Sequence, residues 1–220
     1  MMTNSLCSCA IVCAKNSIPS PGKGCKYTGQ SVRPLPIRIL TVGKKRSAGV
    51  QLLVEEYVGK LKHYCSVDDV QVRPNPKNAR YFNDVRAQVE DEDAGVVNLI
   101  SSDDWVVLLD ENGVNIGSEQ MAELLGDAGN TGASRLSFCI GGPYGHGPKI
   151  RERANISIKL SSMVLNHQIA LLVLVEQLYS SWAAKHVCSI LKLARGSSYE
   201  NCKSAESLFP EGCLNFVVFY

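Results

Sequence analysis

The chain predicts an α/β domain with a mainly parallel sheet and helices on both faces. Strand-like runs alternate with stretches of helical periodicity from Ile37 onward, which is the pattern of a parallel sheet with crossover helices. Two of the runs, Trp105–Leu109 (WVVLL) and Leu136–Ile140 (LSFCI), are almost continuously apolar, as strands covered on both faces are. No internal repeat is visible.

The elements follow in order. Ile37–Val42 (IRILTV) is a first strand, followed by Gly43 and three basic residues. Val50, Leu53, Val54, Tyr57, Val58 and Leu61 recur at helical spacing, so residues 48–63 form an amphipathic helix. Val67–Val72 alternates as a second strand, ended by Pro74 and Pro76. Val85, Val89, Val96, Val97 and Ile100 mark a further helix, weakened by Gly95. After the strand at 105–109, Asp110–Glu111–Asn112–Gly113 reads as a turn. Ser118 is the expected N-cap of a helix carrying Met121, Leu124 and Leu125, with Glu119 in its first turn. The strand at 136–140 stops at GGPYGHG, residues 141–147, and a short helix starts at Pro148. Ile156–Leu160 is a fifth strand; Ser161–Asn166 links it to a strongly apolar helix over 167–185.

Charge is unevenly spread over the 220 residues, whose net charge is +2. The first 54 carry eight basic residues and no acid, leaving 15 basic and 21 acidic residues in the body. A mildly acidic body argues against a broad polyanion-binding surface, so RNA contact would need a local patch or a second subunit. The nine cysteines are odd in number and irregularly spaced, without a CxxC pair, which fits reduced thiols better than a disulfide framework or a metal site at Cys7, Cys9 and Cys13. The longest wholly apolar run, Ile169–Val175, is far short of a membrane span. Residues 1–36 lack acids and are rich in Ser, Thr, Lys and Cys, the composition of an organellar transit peptide, with a disordered cytosolic extension as the alternative.

Several chemistries are excluded by missing motifs. There is no GxGxxG or GxxxxGK[ST] for nucleotide phosphates, no GxSxG nucleophile elbow and no HExxH metal pair, and the four histidines are scattered. What is present is a buried strand ending in a glycine-rich turn at Ile140–Gly147, where open α/β sheets bind ligands. It is preceded by a strand ending Leu108–Leu109–Asp110 and followed by Leu160–Ser161–Ser162–Met163–Val164–Leu165–Asn166–His167, then a helix bearing Glu176–Gln177–Leu178–Tyr179. In order and spacing, this combination resembles the RlmH (YbeA) family of SPOUT methyltransferases over about residues 37–182.

That resemblance implies a homodimer with a C-terminal trefoil knot, an exception to the rule that folds are unknotted. It implies S-adenosylmethionine held by Leu109, Gly141, Leu160, Ser161, Ser162, Met163, Val164 and Leu165, with backbone groups of the last stretch at the adenine. The implied reaction is N3 methylation of a pseudouridine in large-subunit ribosomal RNA, without a metal. The transit-like composition of residues 1–36 sets the expected location in the chloroplast, with mitochondrion or cytoplasm as alternatives. A bulky residue at Gly141 is expected to fill space the ligand needs.

Other residues carry two readings each. His167 either shapes the cofactor loop or supplies a hydrogen bond at the start of the last helix, the latter preferred. His146 reads as a solvated loop residue, since the family does not call for histidine there. Glu176 is either part of the active site or dimer seam or a carboxylate satisfied by nearby backbone or an arginine, the latter preferred, and Tyr179 and Trp182 read as packing residues. Lys44, Lys45 and Arg46 are either phosphate contacts or a solvated turn. Past Trp182 the resemblance stops. Ser180 replaces the family's arginine, the family's terminal Tyr-His pair is absent, and Tyr199 is the one loosely placed candidate for a catalytic tyrosine. A divergent tail over 183–220 leaves a non-catalytic isoform, binding cofactor or RNA as a dimer, as the second functional reading.

Overall fold

A computed structural model describes residues 34–73 and 85–195, with side-chain surroundings through Ala183. The expected transit segment, apart from residues 34–36, lies outside the described residues, as do the strand-ending Pro74 and Pro76, Tyr199 and the apolar end at 214–220.

Ten elements alternate: β1 (Ile37–Val42), α1 (Ala48–Leu61), β2 (Val67–Val72), α2 (Val85–Val97), β3 (Asp104–Asn115), α3 (Ser118–Ala128), β4 (Arg135–Ile140), α4 (Pro148–Arg153), β5 (Ile156–Lys159) and α5 (His167–Arg195). The strands form one sheet in the order β2-β1-β4-β3-β5, every pair parallel. The expected parallel α/β fold is observed. Both faces are covered because strand side chains alternate across the sheet. Ile37, Ile39, Val107, Leu136, Phe138 and Ile158 pack with Val54 and Val58 of α1, Met121 and Leu125 of α3, and Leu171, Leu174, Val175 and Leu178 of α5. Leu40, Val42, Val106, Leu108 and Cys139 face the other way, onto Val96 of α2 and Ile150 of α4.

Four expectations change. β3 does not end in a turn at Asp110: Leu109 and Val114 both register with Ile158, so residues 110–113 bulge out of a strand that rejoins β5 at Val114. Gly113 makes that rejoining possible, because a Cβ there would lie 2.5 to 2.7 Å from backbone atoms of Ile158. The N-cap of α3 is Gly117, not Ser118. The Gly117 N–H donates to Gln120 Oε1 at 2.6 Å, and the Ser118 hydroxyl instead reaches Gln177 of α5 at 2.7 Å. α2 ends at Val97 rather than Ile100, and its Gly95 lets it approach β2, a Cβ there meeting Val72 Cγ1 at 3.3 Å. α5 continues ten residues past 185, to Arg195.

Candidate functional site

Because all five strands are parallel, their carboxyl ends share one edge of the sheet. Leu109 registers with Ile140 on one side and Ile158 on the other. Leu109, the last residue of β3 before its bulge, therefore lies beside Gly141 and Leu160, which follow the ends of the neighbouring strands β4 and β5, roughly 5 Å apart per strand step. The 160–166 link starts at β5, on one margin of the sheet. It ends at His167, whose ring lies against Gly43 at the end of β1: a Cβ on Gly43 would be 3.2 Å from His167 Nε2. The Ser47 N–H also donates to Gln168 Oε1 at 3.1 Å. Seven residues thus run from β5 to β1, across the ends of β3 and β4 that lie between.

That crossing segment has the character of a ligand-facing loop. Met163 is 73% exposed and Val164 84%, an unusual display of apolar surface. The Met163 N–H is held by Ser161 Oγ at 3.0 Å. Among the described residues, no backbone–backbone hydrogen bond uses residues 160–165. Apolar side chains beside unspent backbone donors and acceptors suit a flat heteroaromatic ring with a polar edge, so these residues fit an adenine-containing methyl donor. His167 does not cap α5; Asn166 does, accepting from the Gln168 N–H at 2.9 Å.

The glycine turn is tightly self-packed. Gly142 and Gly145 bridge antiparallel, the Gly145 N–H donating to the Gly142 carbonyl at 3.0 Å, and Gly145 has φ +81°. A Cβ on Gly141 would lie 2.9 Å from the Gly145 carbonyl carbon and oxygen and 3.2 Å from His146 Cδ2. From below, α2 supports the turn with two buried acids that the sequence reading did not single out. Asp93 accepts the N–H groups of Lys149 (2.8 Å) and Ile150 (2.9 Å), capping α4. Glu92 accepts from Gln88 at 2.8 Å and places its other oxygen 2.7 Å from where a Gly142 Cβ would sit. The signal was available: Glu92 falls on the helical stripe of Val85, Val89 and Val96, where an acid needs a partner.

His146 is not the solvated loop residue expected. It is half-buried, and its Nε2 donates to the Leu109 carbonyl at 2.9 Å, tying the turn to β3. Burial pushes its imidazole below the ordinary range, partly offset by that hydrogen bond and by Asp110. Asp110 pairs with Arg151 at 2.6 Å. Burial works against its charge, but the Asn112 N–H and Arg151 hold the carboxyl below its usual value.

Elsewhere the residues have structural partners. Arg46 is 7% exposed and forked onto Asp69, so it is withdrawn from phosphate contact, while Lys44 and Lys45 stay exposed. Glu176 is satisfied by side chains rather than by backbone or an arginine: Ser180 Oγ donates at 2.8 Å and Gln177 Nε2 at 2.6 Å. It borders a shallow groove between α1 and α5 with Leu53, Tyr57, Leu172 and Val173, away from the strand ends. Tyr179 packs on Tyr57 and Tyr64, and Trp182 is buried in the core. Among the described residues, no cluster of His, Cys, Asp or Glu is arranged to hold a metal. Burial pushes the Cys65 thiol up to about 11 and the Cys139 thiol up to about 12. Neither is a thiolate at neutral pH. Both should escape iodoacetamide in the folded chain and react after unfolding; a peptide mass map showing native alkylation of Cys139 would contradict its burial.

Residues 35–187, more than half of the chain, match the family described as "Predicted SPOUT methyltransferase". The chain belongs to the SPOUT methyltransferase family. A relative in Arabidopsis thaliana, named "Putative RNA methyltransferase At5g10620", is 64% identical over 182 residues, covering 83% of this chain and 93% of that one. "Ribosomal RNA large subunit methyltransferase H" of Christiangramia forsetii is 34% identical over 148 residues, 67% of this chain and 93% of the relative. The protein of the same name in Phocaeicola vulgatus is 37% identical over 141 residues, 64% and 88% of the two chains. As a SPOUT methyltransferase, the chain is of the enzyme class its motifs predict.

Proposed function

We propose that this protein methylates large-subunit ribosomal RNA, using S-adenosylmethionine to place a methyl group on N3 of a pseudouridine. The observation that carries the reading is the 160–166 segment, which runs from β5 to β1 over the edge of the sheet where strand order and register bring Leu109, Gly141 and Leu160 together. The relatives named as large-subunit ribosomal RNA methyltransferases supply the substrate class. The donor, when bound, supplies a methyl group on a positively charged sulfur. The protein's part is to hold the adenine on the backbone of residues 160–165, orient the acceptor nitrogen in line with the methyl group, and accept its proton.

A homodimer with a C-terminal trefoil knot belongs to this reading. The exposed apolar residues Leu52, Leu53 and Ile169 on α1 and α5 offer a seam for a second copy, which would also help close the open site. Residues 1–36 would direct the chain to the chloroplast, 37–182 would form the methyltransferase domain, and 183–220 a divergent tail. Among the described residues, no helix is long and apolar enough to cross a membrane.

Calorimetry should give an S-adenosylmethionine affinity between low micromolar and sub-millimolar, roughly 5–8 kcal/mol. Absence of heat at high ligand would defeat the cofactor assignment. Methyl transfer to ribosomal particles should then be compared among the full chain, a chain truncated after Trp182 and a chain given a Tyr-His tail. Transfer by the grafted chain alone would establish the second reading, a cofactor-binding isoform that does not turn over.

A further inference from the structure

His146 is an ionisable ring lodged between β3 at Leu109 and the end of β4 at Gly141. Its Nε2 is 2.9 Å from the Leu109 carbonyl, and its Cδ2 is 3.2 Å from the position of a Cβ on Gly141. A carbonyl only accepts, so Nε2 carries the hydrogen; in the neutral ring the lone pair is therefore on Nδ1. Nδ1 has no hydrogen bond to any described residue, yet it is not among the fully buried side-chain atoms left without a partner, so it reaches solvent. The ring is thus fixed at one nitrogen and open at the other. The charged groups bearing on it are Asp110 of the β3 bulge, Arg151 of α4 and Asp93 of α2. Arg151 is occupied by Asp110 at 2.6 Å and by the His146 carbonyl, to which its Nε donates at 3.1 Å.

We propose that His146 is the general base of this methyltransferase, its Nδ1 taking the proton from the acceptor nitrogen as the methyl group arrives. The proposal rests on the RNA methyl-transfer reading above and adds a residue that the family pattern does not call for at this position. The N–H bond of the acceptor breaks and its proton goes to Nδ1. The nitrogen electron pair forms the new N–CH3 bond. The C–S electron pair stays on sulfur, which becomes a neutral thioether. The resulting imidazolium has the Asp110 carboxylate nearby and then loses its proton to water. Burial favours the neutral ring, so at neutral pH the base is already in its active form.

The test uses the full chain, labelled with ¹⁵N. Long-range proton–nitrogen spectra should show His146 with hydrogen on Nε2, titrating below an ordinary histidine. Transfer to ribosomal RNA should rise with pH through that same titration and then level off. His146→Gln, whose amide can still donate to the Leu109 carbonyl, should lower kcat about 10²- to 10⁴-fold and remove the acidic limb. Its calorimetric affinity for S-adenosylmethionine should match the wild type. An Nδ1–H tautomer, or a variant with unchanged kcat and pH profile, overturns the base. A variant that loses donor binding makes His146 a positioning residue and equally overturns it. A wild-type chain that binds the donor but transfers nothing overturns the functional reading itself, and the base with it.

Discussion

Gly141→Val is expected to abolish S-adenosylmethionine binding while the chain still unfolds cooperatively. The reason differs from the one the turn suggests in isolation. A Cβ at this position collides first with the loop itself, 2.9 Å from the Gly145 carbonyl carbon and oxygen. The obstruction is backbone, so no side-chain rotation relieves it. To accept valine, the turn must give up the Gly145 N–H to Gly142 bond and displace His146 from Leu109. The bond that closes the turn and the one that ties it to β3 are then both lost. The expected weakening is at least about 100-fold, roughly 3 kcal/mol. Calorimetry with the donor reads the affinity, and circular dichroism on heating checks the fold. Wild-type affinity in this variant would move the cofactor site away from the turn.

Asp93→Ala is expected to give the largest loss of stability from one side chain near the site. Its carboxylate receives the N–H groups of Lys149 and Ile150, and Ile150 is 1% exposed, so water does not readily replace the lost acceptor. Two orphaned donors at the start of α4 cost about 3 kcal/mol together. For a chain of this size that lowers Tm by roughly 6–12 °C. Asp93→Asn keeps one acceptor oxygen and should fall between the two. A Tm unchanged in Asp93→Ala would mean that α4 does not depend on this cap. Gly147, the residue before α4, shows why the acid is close-fitting: a Cβ there would be 2.5 Å from the Asp93 carboxyl carbon.

The sequence by itself determined the kind of fold and the parts of the site. Trp105–Leu109 and Leu136–Ile140 are almost continuously apolar, as covered strands are, and the 3.6-residue periodicity between strand-like runs makes the sheet parallel. The glycine turn and the 160–167 segment were legible as a constellation, because order and spacing survive in a linear string. Where these pieces meet was not legible. That Leu109 stands beside Gly141 depends on β4 inserting between β1 and β3, a matter of strand order. Partnerships decided by burial were also hidden. Arg46, read as open between a phosphate contact and a solvated turn, is drawn into an ion pair by Asp69 on the neighbouring strand. His146, read as solvated, is fixed because the β3 bulge begins just after Leu109, whose carbonyl lies at hydrogen-bonding distance. A charged or polar side chain takes the partner that desolvation makes most valuable, and that partner is a neighbour in space that the chain order does not name.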